Sequence, residues 1–395
     1  MRLSLSLSLS PMTATTAYAV FGSALRVFHD LNSTPILKDL EGGVAAVGDT
    51  SAVVFDSATW GGGSLASVID AASELKASGS ITTTGSPPGG SSYSTETGAF
   101  SVTRTNSTNL AEVRIASITV GQLYAVNVQN TGSAAFSVRT NSGVTTVAVV
   151  SAGETKTVYV QCVASNLSIV PDTNGTTAAG TLHYARLVPG YHMLQATSAY
   201  RPTVRQSATT GKLYLEVDGI NHRMQTQTLD LSATDKANMF VAFRKLSDAA
   251  TAVLIEHGQG GTNTDVLALY VPRGTGNPRT GFQFRPTIPT LSGTQGPNTA
   301  APVTWVVSAL GDKSQATLAT ETTLRTNGSV AGNVTEGATV TGNLGNWPVN
   351  YFARQGGGLH FTGHYYGDMI VAGAVPNAGQ ISWAEAYYNS LCAAY

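Results

Sequence analysis

Apolar and polar positions alternate with a period of two along most of the chain. Between 100 and 170 the pattern breaks into short runs, 112–118, 123–128, 135–139, 145–149, 155–163 and 167–170, each with one apolar face. Val120-Gly121, Asn130-Thr131-Gly132, Asn141-Ser142-Gly143 and Ala152-Gly153 punctuate them at the spacing of a β-sandwich. This predicts a compact jelly-roll-like module over 76–172. Residues 173–185, polar and glycine-containing, read as a linker. A second β region fills 186–395, with strands expected at 212–217, 238–244, 252–256, 266–271, 281–285, 304–309, 316–320 and 368–374. A proline-bearing loop over 285–302 interrupts it.

Helical spacing appears twice. Leu65, Val68, Ala72 and Leu75 predict a helix over 64–77, closed by Gly79. Near the C-terminus, Ile381, Ala384, Tyr388 and Leu391 form an apolar stripe, with Ser382 and Glu385 spaced as a capping box. At the other end Leu3, Leu5, Leu7 and Leu9 alternate with serines. Ala17-Tyr18-Ala19 resembles a signal-peptidase site, but a hydroxyl at every second position makes a poor apolar signal core. The alternation suits a strand instead. Residues 1–20 are therefore expected to be an extended attachment arm that docks on a neighbouring chain or domain, followed by an N-terminal segment over 21–75. The pattern as a whole predicts an all-β protein: two β-sandwich (jelly-roll) modules, an extended N-terminal arm and a short C-terminal helix.

Composition narrows the class. Only 11% of the 395 residues are charged, against roughly 25% in ordinary soluble domains, and the net charge is −1. That balance lacks the basic footprint of a nucleic-acid binder. No stretch approaches the ~20 apolar residues of a membrane-spanning helix. Cys162 shares a strand face with Val158 and Val160, and Cys392 falls in the C-terminal helix, so both are expected as buried free thiols.

Certain segments carry a resemblance. His192-Met193-Leu194-Gln195-Ala196-Thr197 with Arg201-Pro202 comes first, then Leu213–Gly219 ending in Asp218-Gly219, then Gly363-His364-Tyr365-Tyr366-Gly367 ahead of the closing helix. Over 186–395 this order resembles the concanavalin A-like lectin/glucanase (laminin-G-like) domain found in many tailed-phage virion proteins. In such proteins a segment like 25–56, with Phe28-His29-Asp30 and Val53-Val54-Phe55-Asp56, often precedes the "QAT…RP" motif. Here about 135 residues intervene, which implies that the jelly-roll module is inserted into the lectin-like unit.

Candidate chemistry is sparse. Catalytic relatives of that fold use Glu-x-Asp-x-x-Glu, whose paired carboxylates act as nucleophile and acid/base. Here Glu216-Val217-Asp218-Gly219-Ile220-Asn221 has asparagine in the last place, so no enzyme activity is expected. His360 and His364 would share a metal on a helix, but their glycine-rich and β-rich surroundings predict a strand, where four residues span ~13 Å. No metal and no cofactor are expected. Sugar binding needs exposed aromatic faces, and Trp347, Tyr351, Tyr365 and Tyr366 cluster in a Gly/Asn-rich stretch as the candidates.

The resemblance implies a structural component of a tailed-phage (or phage-derived) particle: a peripheral tail-tip, fibre or capsid appendage located on the virion. Its expected partners are other virion proteins and itself, as a homo-oligomer such as a trimer, together with host-surface glycan. Nucleic acid and membrane insertion are not expected. The alternative reading is a secreted carbohydrate-binding protein or glycoside hydrolase.

Overall fold

The computed structural model describes residues 14–57, 69–76, 80–84, 90–105, 111–140, 145–259, 266–285, 292–330, 333–339 and 341–395. Among them the strands form four antiparallel sheets, making two sandwiches with a C-terminal helix, an all-β architecture. In the smaller sandwich two five-stranded sheets, built from residues 81–188, close on a core that includes Phe100, Val126, Phe136 and Ile169. The larger pairs a seven-stranded with a ten-stranded sheet around Phe243, Phe282, Trp305 and Tyr365.

The first and last described strands both belong to the larger sandwich. Strand Leu25–Asp30 lies antiparallel to Thr362–Ala372, with His29 opposite Asp368. Val53–Val54 pairs with Met193–Leu194. The smaller sandwich is thus an insertion between residues 57 and 191, flanked by two segments of the larger one.

Strand Leu123–Asn130 shows how the two units are joined. Tyr124, Val126 and Val128 point into the small core, while Leu123 and Ala125 join Leu37, Val53, Phe55, Tyr159 and Val188 in a separate apolar seam. Its near-complete burial follows from being covered on both faces. Thr155–Gln161, the outer strand of its sheet, has one backbone donor satisfied across the seam: Tyr159 N–H donates to the Leu40 carbonyl at 2.7 Å. Lys156 reaches across to Glu41 at 2.8 Å.

Several expectations are corrected. The expected linker at 173–185 is largely strand Thr176–Val188, the longest among those described, paired with Ala99–Arg104 on one side and Leu123–Asn130 on the other. Its small residues hide the strand signal because they fill a tight site: a Cβ on Gly180 would stand 2.5 Å from the Phe100 ring. The helix expected over 64–77 is described only from residue 69, and there it is a single 3₁₀ turn, Ala71–Ser73. Ser73 and Glu74 instead bind strand Thr176–Val188, through Leu187 N–H and Arg186 Nε. Residues 316–320, expected as a strand, contribute to a short helix, Leu318–Glu321. Within the expected loop 285–302, Ser292–Gln295 is a strand.

At the N-terminus, Leu3, Leu5, Leu7 and Leu9 lie outside the described residues. The last part of the expected extended arm is helix Ala14–Phe21, whose Ala17 and Phe21 pack with Phe240 and Tyr387. Helix Ala378–Cys392 covers the outer face of the seven-stranded sheet with Ala384, Tyr388 and Leu391. Its cap is Asn377, reciprocated by Gln380, rather than Ser382. Glu385 is buried and accepts from Ser308 Oγ and Arg325 Nε, so that carboxylate anchors the helix to the sheet. Cys162 and Cys392 are both buried and free, and burial pushes each thiol up to about 12.

A buried polar knot closes the large sandwich. Asp368 accepts from His29 Nδ1 at 2.8 Å, from Tyr351 Oη at 3.1 Å and from Tyr365 Oη. His29 Nε2 meets the Tyr191 carbonyl at 2.9 Å, so His29 donates from both nitrogens when protonated. Burial alone would depress the His29 imidazolium. Asp368, through charge and hydrogen bond, then Asp56 and the Tyr191 carbonyl, outweigh it and raise the pKa above 6.5. A raised folded-state pKa gives a stabilisation that is complete below the unfolded value and lost as pH rises through the folded one. Unfolding by urea should show the stability gap between the native chain and His29→Gln widest near about pH 6 and narrower by about pH 9; a gap independent of pH would mean that His29 is neutral in the fold. Asp368→Ala, which strips three donors of their acceptor, should cost about 3–5 kcal/mol in the same measurement.

Candidate functional site

The seam between the sandwiches opens into a cleft with two lobes. One, about 470 Å³, lies between Leu40 and Glu41 of the large sandwich and Thr146 and Val163 of the small one. The other, about 440 Å³, lies over the outer face of the ten-stranded sheet. Gln161, Leu194 and Ala196 line both lobes, so they form one continuous groove. Leu194 comes from the strand that carries the chain back into the large sandwich, and Gln161 ends an inserted strand.

Register explains the polar floor of the second lobe. Met224, Tyr351 and Ile255 are cross-strand neighbours and all enter the core. The next rung faces the other way and consists of Gln225, Asn350 and Glu256; Gln225 and Asn350 line the lobe, while Glu256 is buried and does not. Gln225 Nε2 donates to Asn350 Oδ1 at 2.8 Å, and Asn350 Nδ2 donates to the Glu256 carbonyl at 3.3 Å. Arg354 Nε donates to Glu256 Oε2 at 3.1 Å and its Nη2 to Tyr270 Oη at 2.8 Å. Burial raises the Glu256 carboxyl above the ordinary range, with Arg354 opposing.

The "QAT…RP" segment builds the adjoining wall. Gln195 is used at both ends of its amide: Oε1 accepts from Thr197 N–H and Nε2 donates to the Arg223 carbonyl. Arg201 spends its guanidinium on the carbonyls of Gln195, Ala196 and Lys38. Arg223 N–H donates to the Tyr200 carbonyl, and its guanidinium lies 4.4 Å above the Tyr200 ring. Gly356, Gly357 and Gly358 all have positive φ, and a Cβ on Gly357 would come within 2.4 Å of Arg223 Nη1. The glycines let this loop close down on the guanidinium.

The expected sugar-stacking aromatics do not form a site. Tyr351 and Tyr365 are wholly buried and bind Asp368, and Tyr366 is 5% exposed beneath the C-terminal helix. A ring with no free face offers a pyranose nothing to stack on. Trp347 is partly exposed on strand Asn346–Tyr351 but does not line the groove. The structure groups Gln195, Arg223, Gln225, Asn350 and Arg354 instead. Sequence reasoning passed over these polar residues, although the "QAT…RP" motif already contained the first.

Both carboxylates of the glucanase-like stretch are engaged by neighbouring groups. Glu216 is paired with Arg205 at 2.7 Å. Asp218 Oδ1 accepts from Ile220, Asn221 and His222 N–H; although partial burial raises its carboxyl, those donors hold it below the ordinary range. It shapes the turn at Gly219. His364 lies on strand Thr362–Ala372 with its ring stacked on Tyr214, while His360 accepts from Gly358 N–H. Among the described residues no group of three His, Cys, Asp or Glu is placed to hold a metal.

No family model and no curated protein matches the chain. Solved structures overlap it in part. The CBM40 of the Ruminococcus gnavus IT-sialidase, bound to alpha2,3 sialyllactose, is 16% identical over 43% of this chain and 95% of its own, with a TM-score of 0.31. A heptameric SAP-like pentraxin from Limulus polyphemus is 11% identical over 39% and 73%, with a TM-score of 0.31. The Botulinum neurotoxin type G receptor binding domain is 12% identical over 49% and 47%, with a TM-score of 0.32.

Gly356→Ala should cost about 1–2 kcal/mol through its positive φ alone, since no atom lies within 4 Å of the new methyl. Gly357→Ala should lower the melting temperature further, because it must also push Arg223 off Tyr200. Equal effects in thermal denaturation would mean that the guanidinium moves freely.

Proposed function

We propose that this chain is a non-catalytic binding protein that holds a carbohydrate in the groove between its sandwiches. The observation that carries this reading is the floor of the groove. Gln225 and Asn350 are fixed by their own hydrogen bond on a rigid sheet, with the Gln195 and Arg223 wall beside them. Amides offer donors and acceptors together, which is what sugar hydroxyls require, and a rigid setting lowers the ordering cost of binding. The two lobes have room for more than one sugar ring. The engaged states of Glu216 and Asp218 favour binding over hydrolysis.

The finer reading is that the protein serves as a peripheral component of a tailed-phage or phage-derived particle, at a tail tip, fibre or capsid projection, where many copies add avidity to weak single contacts. It is supported by the "QAT…RP" and "G…YG" segments of the sequence. Oligomerisation through residues 1–20 belongs to the same proposal.

Two measurements test these readings separately. On a saccharide array followed by calorimetry, Gln225→Ala should weaken binding about tenfold, since it removes a hydroxyl partner and leaves Asn350 half-satisfied; unchanged affinity would move the site elsewhere. Immunogold labelling of purified particles with antibody against 186–395 should mark tail tips or capsid projections. Unlabelled particles, with the protein free in the medium, would favour the secreted carbohydrate-binding alternative.

A further inference from the structure

Arg354 and Arg223 are the charged residues of the sheet-side lobe, and no carboxylate lines it. The two differ in what they hold. Arg354 is neutralised by Glu256 and bonded to Tyr270. Arg223 has no hydrogen bond or ion pair from its guanidinium to any described residue; its contact is the Tyr200 face at 4.4 Å. Nor is it a loose surface side chain. Its carbonyl is held by Gln195, its N–H by Tyr200, and the Gly356–Gly358 loop closes over it with no Cβ at Gly357 to block the approach. In a chain with 11% charged residues, a positioned guanidinium without a counter-ion beside ordered amides is half of an ion pair.

We infer that the ligand of the groove is an anionic saccharide, a sugar bearing a carboxylate or sulfate group that pairs with Arg223 while Gln225 and Asn350 bind its hydroxyls. The inference rests on the carbohydrate reading above and adds the charge class. Guanidinium suits either anion, because its planar fork donates two parallel hydrogen bonds to paired oxygens. Its contact with the Tyr200 ring, 4.4 Å from guanidinium carbon to ring centroid, holds the group in place before the ligand arrives. The lobe on the Glu41 side contains Asp39 and Glu41, and its guanidinium, Arg201, is spent on three backbone carbonyls, so the anionic group belongs at the Arg223 end and a neutral portion of the chain at the other.

The test is calorimetric titration of the full chain with a galacturonate oligosaccharide, its methyl ester, a sulfated dextran oligosaccharide and unsulfated dextran. At least one acid should bind about tenfold or more tightly than its neutral counterpart, with affinity falling as salt rises. The galacturonate and dextran arms decide between carboxylate and sulfate. Arg223→Gln should abolish the preference for the acid, Arg223→Lys should retain part of it, and Arg205→Gln, paired with Glu216, should leave it unchanged. Melting temperatures of the variants separate a lost contact from a lost fold. Neutral sugars binding as tightly as the acids, or Arg223→Gln keeping the preference, would overturn the inference and leave the carbohydrate reading intact. Binding of none of the four would overturn both.

Discussion

The architecture depends on one buried pairing, His29 with Asp368. These residues are 339 positions apart, on the first and last strands of the large sandwich, and both are wholly excluded from water. A lone charge at that depth would be severely destabilising, so each requires the other, and the two strands are held in one register. The same knot secures the insertion. Asp56, where the chain leaves, accepts from Phe28 and Tyr191 N–H, while its own N–H donates to His192 Nδ1 where the chain returns. Burial drives the His192 pKa down to about 3, so it stays neutral and can accept that bond. Five passes of the chain, those of His29, Asp56, His192, Tyr351 and Asp368, meet around a few polar side chains. The inserted sandwich therefore leaves and re-enters at closely linked points, and it does not disturb the sheet that contains it.

From that constraint comes the groove. The exit and return strands are held side by side, so the inserted sandwich must pack directly against them, and Phe55 meets Tyr159 edge to face at 6.0 Å. Two convex bodies in contact leave a trough along the line where they part. Its walls come from both bodies and its floor from the outward rung of a sheet whose inward rung is core. The shortage of charge in the chain matters here. Of the charged residues lining the groove, Asp39, Glu41, Arg201 and Arg354 each hold a hydrogen-bond or ion-pair partner, whereas the Arg223 guanidinium has none among the described residues.

Much of the fold was legible in the sequence. Alternation located most of the small sandwich's strands, because one face of each packs into the same core. It also placed Val158, Val160 and Cys162 together in the small core. Where it failed, a single-face pattern was absent for a physical reason. Strand Thr176–Val188 hides behind Ala and Gly because a phenylalanine ring lies against it. The helix cap was displaced because Ser382 and Glu385 imitate a capping box, while the buried Glu385 in fact serves an ion pair with the partly exposed Arg325.

The sequence by itself determined the all-β class, the existence of two modules, the buried thiols and the closing helix. These follow from local periodicity, which neighbouring residues carry. Tertiary structure alone decided that Tyr351 and Tyr365 are hydrogen-bonding core groups rather than a sugar platform, since nothing local tells an exposed tyrosine from one aimed at a distant aspartate. It also decided the site. Gln161, Gln195, Gln225 and Asn350 are spread over 190 positions and become neighbours only when the chain closes on itself through His29 and Asp368.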